Sequence, residues 1–244
     1  MIRKLGIVAA ALSLALSGTN ALAKVSEAEA NKLGNELTPL GAEKAGNADG
    51  SIPAWTGGIT SVPAGYTVGD HHQDPYPEDK VLFEITAQNY KEYAEYLSEG
   101  QKKLFETYPD TFRMPVYQTR RSASNPQSIY DATTVNATRA ELLDDGNGIK
   151  GAVLGIPFPV PQNGLEAIWN HILRYRGEAV QRNGGQAAVT TGGDYNVIGF
   201  DEQLLIKYAE ESATPEKLTE DNILFMFISF VFSIFIIVCR VLFI

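Results

Sequence analysis

Cysteine is nearly missing from this 244-residue chain: Cys239 stands alone, so no disulfide can close within it. Small exported folds lean on disulfides, but a chain this long can bury enough surface without them. Histidine is scarce too, limited to His71, His72 and His171. With no His-x-x-x-His spacing and no cysteine pair, the common structural zinc sets are excluded. Cationic side chains are outnumbered, 20 Lys and Arg against 29 Asp and Glu. That deficit argues against nucleic acid, which asks for a basic footprint, and against tight binding to anionic lipid headgroups. Catalytic motifs are also missing. The glycine pairs 57–58, 184–185 and 192–193 lack the Lys-Ser/Thr setting of a phosphate loop and read as turns. His171 is the sole candidate base, with no Ser or Cys nucleophile in a recognisable motif nearby, and reads as a structural histidine. His71 and His72 with Asp70 and Asp74 read as a solvated turn. No catalytic, metal or cofactor site is expected, and the enzyme reading ranks last.

What is present starts with an export signal over residues 1–23. Arg3 and Lys4 form a basic head, Leu5 to Leu16 an apolar run, and Ala21-Leu22-Ala23 a small-x-small cleavage pattern. The run is too short to span a bilayer. The mature chain is expected to begin at Lys24, in the periplasm or on the outer-membrane face, without a lipid anchor, since no cysteine lies at the junction. Losing two cations leaves 18 against 29 acidic groups, a charge of −11.

The last stretch, 224–244, is of another kind. Ile223 to Ile244 carries six of the 11 Phe residues, and its polar residues are Ser229, Ser233 and Arg240. About 20 apolar residues suffice for a membrane span, so it reads literally as a C-terminal transmembrane anchor. The abrupt change of composition at Leu224 reads alternatively as the product of a shifted reading frame, while a pair of buried core strands is set aside because the apolar run is uninterrupted.

Between the ends, residues 24–69 read as a short helix and a Pro/Gly-rich extended arm. Ser26 and Glu29 have capping-box spacing, and Trp55 is the arm's expected apolar anchor. Residues 70–223 read as an α+β domain. Thr86–Leu97 and Leu165–Leu173 have helical periodicity. Asp144 to Gly148 marks a hairpin, and Phe112–Gln118, with Pro115, reads as an edge segment. Arg174–Arg182, Gln186–Thr191, Asn196–Phe200 and Gln203–Ala209 read as consecutive strands without crossover helices, an antiparallel meander. Tyr90 and Tyr93 on the first helix, and Ile168, Trp169 and Ile172 on the second, are candidates to line a hydrophobic-ligand site. Core packing explains the same spacing.

Three blocks carry a resemblance: Leu37–Gly58 (LTPLGAEKAGNADGSIPAWTGG), Ile85–Leu104 with Glu99-Gly100-Gln101, and Gly155–Gly177 (GIPFPVPQNGLEAIWNHILRYRG). They resemble the DUF1329 family of exported proteobacterial proteins over residues 24–223, a likeness that ends at Phe225. Family members are longer and are remotely similar to the periplasmic lipoprotein carrier and its outer-membrane receptor. The resemblance implies a curved antiparallel sheet, an incomplete half-barrel, with amphipathic helices on its concave face. It further implies a non-catalytic carrier or accessory role for a lipid or other hydrophobic substance. Expected partners are an export pump of the resistance-nodulation-division type and an outer-membrane protein. A structural module docking through the arm is the alternative, as is a truncated, non-functional gene product.

Overall fold

A computed structural model describes residues 25–143, 146–221, 223–231 and 236–243, with backbone alone from residue 219 onward. The export signal lies outside the described residues. The chain divides into two compact units, residues 43–125 and the residues on either side of them.

The unit 43–125 contains β1 (Phe83–Ile85), a 3-10 segment (Tyr90–Tyr96), α2 (Glu99–Thr107) and β2 (Met114–Val116). Strand β2 pairs antiparallel with β1, placing Pro115 opposite Glu84. A two-stranded ribbon has only edges, so the missing proline N–H is tolerated. Helix α2 starts at Ser98, whose hydroxyl accepts from the Gln101 N–H while the Gln101 side chain accepts from the Ser98 N–H. The expected helix over 86–97 is instead a 3-10 segment. Asn89 folds back on Thr86, accepting its N–H at 2.7 Å, and this turn starts the segment late. Ile85, Leu97 and Phe105 form the core, with Tyr90, Tyr93, Phe112, Met114 and Val116 against it.

The arm is bound mainly by polar contacts. Arg121, half-buried, donates to the carbonyls of Glu43 (2.6 Å), Lys44 (3.2 Å), Ala45 (3.3 Å) and Pro53 (3.3 Å). The Trp55 indole N–H donates to the Ala123 carbonyl at 3.1 Å. Arg120 holds Asp79 at 3.0 Å and lies 4.6 Å from the centre of the Tyr76 ring. That hydrogen bond keeps the Asp79 carboxyl below its ordinary range.

In the other unit, α1 (Glu27–Ala30) carries the expected Ser26–Glu29 capping box. Its Ala30 packs with Leu33 and Ala137, the latter in α3 (Gln127–Arg139). Helix α3 was not expected from sequence. Its buried face is Ile129, Thr133, Asn136 and Ala137, so half of it is polar and the apolar period is diluted. A hairpin of β3 (Glu141–Leu143) and β4 (Gly148–Lys150) follows, as the Asp/Gly-rich turn predicts. Helix α4 (Gly164–Ile172) lies within one residue of its expected limits, capped by Asn163.

The main sheet has the order β5-β6-β7-β8, antiparallel throughout, with β5 (Ala179–Val189), β6 (Tyr195–Ile206), β7 (Ile223–Val231) and β8 (Ile236–Phe243). A 3-10 turn (Lys207–Ala209) and α5 (Pro215–Asp221) join β6 to β7. Three sequence expectations change here. Arg174 and Arg176 precede the sheet, because β5 begins only at Ala179. The four short strands are two long ones: Gly184-Gly185 runs through β5, opposite Phe200 and Gly199, and does not turn. A Cβ on Gly184 would sit 2.8 Å from the Phe200 ring, so that ring fills the space a side chain would take. Finally, the apolar run after residue 222 does not form a transmembrane helix: 223–231 and 236–243 are paired strands. Alternating β-branched and aromatic residues favour extended backbone once a partner strand is present. Among the described residues, no helix is long and apolar enough to cross a membrane.

The fold is thus α+β, with short antiparallel sheets not closed into a barrel. Helix α4 reaches the sheet only at its base, where Trp169 and Leu173 share a core with Ile206, and with Val180 and Leu204 at its margin.

Candidate functional site

The five residues singled out from sequence are divided between the two units. Tyr90 and Tyr93 belong to the unit 43–125. Tyr90 stacks on Phe105 at 5.3 Å and Tyr93 on Phe83 at 5.1 Å, so both rings act as packing. Ile168, Trp169 and Ile172 belong to the other unit. Trp169 is buried and its indole N–H donates to the Gly146 carbonyl at 2.8 Å. Ile172 packs against the same core, whereas Ile168 is 58% exposed and Leu165, one turn earlier, 49%. Helix α4 therefore has two apolar sides, one spent on the core and one left to solvent.

Around that core runs a polar clamp that pattern reading missed. The segment Gly155 to Pro161 contains three prolines and joins no strand, and its Ile156 and Phe158 N–H groups find side-chain partners. Thr133 Oγ1 accepts the Ile156 N–H at 3.1 Å, and Asn170 Oδ1 accepts the Phe158 N–H at 2.9 Å. Asn170 Nδ2 donates back to the Phe158 carbonyl at 2.6 Å. Asn136 exchanges both hydrogen bonds with the Val153 backbone, at 2.9 and 3.2 Å. Tyr208 donates to the Gly155 carbonyl at 2.6 Å, and burial pushes its phenol far above the ordinary range. Gly155 is required: a Cβ there would fall 2.5 Å from Thr133 Oγ1 and 2.8 Å from the Ile129 carbonyl. Leu154 accordingly adopts a left-handed backbone, φ 63°. The signal for this clamp was the alternation of prolines at 157, 159 and 161; its partners were invisible because they lie 12 to 53 residues away.

Among the exposed apolar surfaces of the described residues is the β5–β6 hairpin. Beyond Val180 every residue of β5 is exposed. In the register, Val189 faces Tyr195 and Ala187 faces Val197, so these four side chains share one face. Their apolar members are open: Val189 69%, Tyr195 66% and Val197 60%. On the opposite face the Arg182 guanidinium pairs with Glu202 and lies 5.4 Å from the Phe200 ring centre.

The other candidates stand apart. His171 is exposed, its ring nitrogens 3.2 and 3.4 Å from the Arg174 guanidinium. His72 stacks on Tyr66 at 5.6 Å. Among the described residues no three His, Cys, Asp or Glu side chains converge as a metal set would.

An α+β protein with an unclosed antiparallel sheet and an exposed apolar hairpin is the class these observations define. The chain belongs to the family described as "Protein of unknown function (DUF1329)", whose profile matches residues 84–233. That match extends past Phe225, where the likeness had been expected to end. The chain is 45% identical over 216 residues to the uncharacterised protein PA3922 of Pseudomonas aeruginosa. The alignment takes in 88% of this chain and 47% of that protein, so the chain spans about half the length of its curated relative. No solved structure matches.

Proposed function

We propose that this chain binds a lipid or another hydrophobic substance on its exposed sheet, as a non-catalytic carrier or accessory in cell-envelope transport. The observation that carries the reading is the apolar tip of the β5–β6 hairpin, Ala187, Val189, Tyr195 and Val197 on one face. Apolar patches left open on a stable scaffold mark binding surfaces. The polar clamp supports it, because it helps the core close at the base of the sheet without using the hairpin tip. The acidic balance, −9 overall, argues against a ligand held through phosphate groups, so binding would rest on apolar burial. The N-terminal signal pattern supports export to the periplasm. An export pump of the resistance-nodulation-division type and an outer-membrane protein are the partners proposed with it.

The test is uptake of a dansyl-labelled fatty acid by the purified protein, with mass spectrometry of an organic extract. Saturable, blue-shifted fluorescence, weakened several-fold by Val197→Asn with the fold intact, is expected. Empty extracts together with no uptake would overturn the reading.

A further inference from the structure

The sheet has an edge that natural proteins usually protect. Strand β5 borders it, pairs over 11 uninterrupted positions with β6, and has no partner on its outer side among the described residues. Edge strands are normally blunted by proline, lysine, a bulge or shortness. None of these occurs in Ala179–Val189, whose sole charge, Arg182, is already paired with Glu202. Its sequence, AVQRNGGQAAV, is apolar at both ends, polar inside, and bare at Gly184-Gly185.

That pattern is close to symmetric, and antiparallel pairing of a strand with itself needs such symmetry. A two-fold axis through Gly184, normal to the sheet, keeps each side chain on its own face. It sets Gly184 against its own copy, Arg182 against Gln186, Val180 against Ala188 and Ala179 against Val189. Apolar meets apolar at the ends, Gln181 meets Ala187, Asn183 meets Gly185, and no like charges oppose one another. The glycines leave the centre free of side chains. We propose that β5 is a self-association edge, through which two copies of this chain join their four-stranded sheets into one continuous sheet. Main-chain hydrogen bonds supply the attraction, as in strand addition generally.

One position tests this with opposite signs. Gln186 is exposed and faces Ile198 within the hairpin, so its charge matters little to a single copy. In the paired state it faces Arg182 of the second copy twice. Sedimentation equilibrium of the purified protein across a concentration series should give a monomer–dimer equilibrium. Gln186→Lys should weaken it, and Gln186→Glu should tighten it, each by about two- to thirty-fold, as two cross-strand charge contacts allow. Amide exchange in 179–189 should slow with concentration. A monomer at every concentration overturns the proposal, as does a dimer whose affinity moves the same way, or not at all, in both variants. A dimer whose β5 amides gain no protection, joined through another surface, overturns it too.

Discussion

The base of the main sheet and the tip of its first hairpin belong to the same two strands, yet they are built on opposite rules. At the base, the N–H groups of Val153, Ile156 and Phe158 each have a side-chain amide or hydroxyl assigned to them. Trp169, Leu173, Ile206 and Tyr208 close over the result. At the tip, valines and a tyrosine face water and, among the described residues, the outer edge has no partner strand. The difference teaches that packing is concentrated at one end of these strands and leaves the other end exposed.

Two substitutions at the base should carry the largest costs. Trp169→Ala removes a buried ring and the indole N–H held by the Gly146 carbonyl, and should destabilise by about 3–5 kcal/mol in urea titration. A loss below about 1 kcal/mol would break the comparison, since Trp169 would then be free to serve as a ligand wall. Asn136→Ala leaves the Val153 N–H and carbonyl without their partner, at about 1–3 kcal/mol for each buried group left unmade. Measuring the same loss in Asn136→Asp would show whether the carbonyl contact or the N–H contact dominates.

The phenol of Tyr208 sharpens the contrast through pH. Its folded-state pKa is raised by burial above its value near 10 in the unfolded chain. A raised pKa means the folded state keeps a proton that the unfolded state releases. The stability is therefore fully present below pH 10 and falls as pH rises beyond it, by up to about 1.4 kcal/mol per pH unit. Tyr208→Phe should remove this share of the alkaline slope while losing the hydrogen bond to Gly155, a cost of about 1–3 kcal/mol at neutral pH. An unchanged slope in Tyr208→Phe would mean that other groups govern alkaline unfolding.

The same contrast explains what the sequence could reveal. Helix α4 was legible nearly to the residue because Leu165, Ile168, Trp169 and Ile172 repeat at helical spacing. The spacing could not say which side faced inward. Helix α3 was missed because Thr133 and Asn136 occupy inward positions to serve a distant backbone. The turn expected at Gly184-Gly185 was a sound inference from local chemistry, overridden by Phe200 across the ladder. The apolar stretch after residue 222 was long enough for a helix, and only strand pairing decides between the two. Local signals survived where partners are near in sequence and failed where they are far.

The smallest stability effect is expected at the tip. Tyr195→Ala and Val197→Ala each remove apolar atoms that are already more than half exposed, so unfolding free energies should move by no more than about 0.5 kcal/mol. If the tip is a binding surface, the same changes should weaken fatty-acid uptake several-fold, because the atoms become buried only when a ligand covers them. Stability and binding would then separate cleanly along one strand: Ile206 at its buried end would govern folding, and Val197 at its exposed end would govern uptake. A Val197→Ala protein that loses 2 kcal/mol or more would show instead that the tip is packed in solution. The hairpin would then have to be read as part of a core that its own chain, or a second copy, completes.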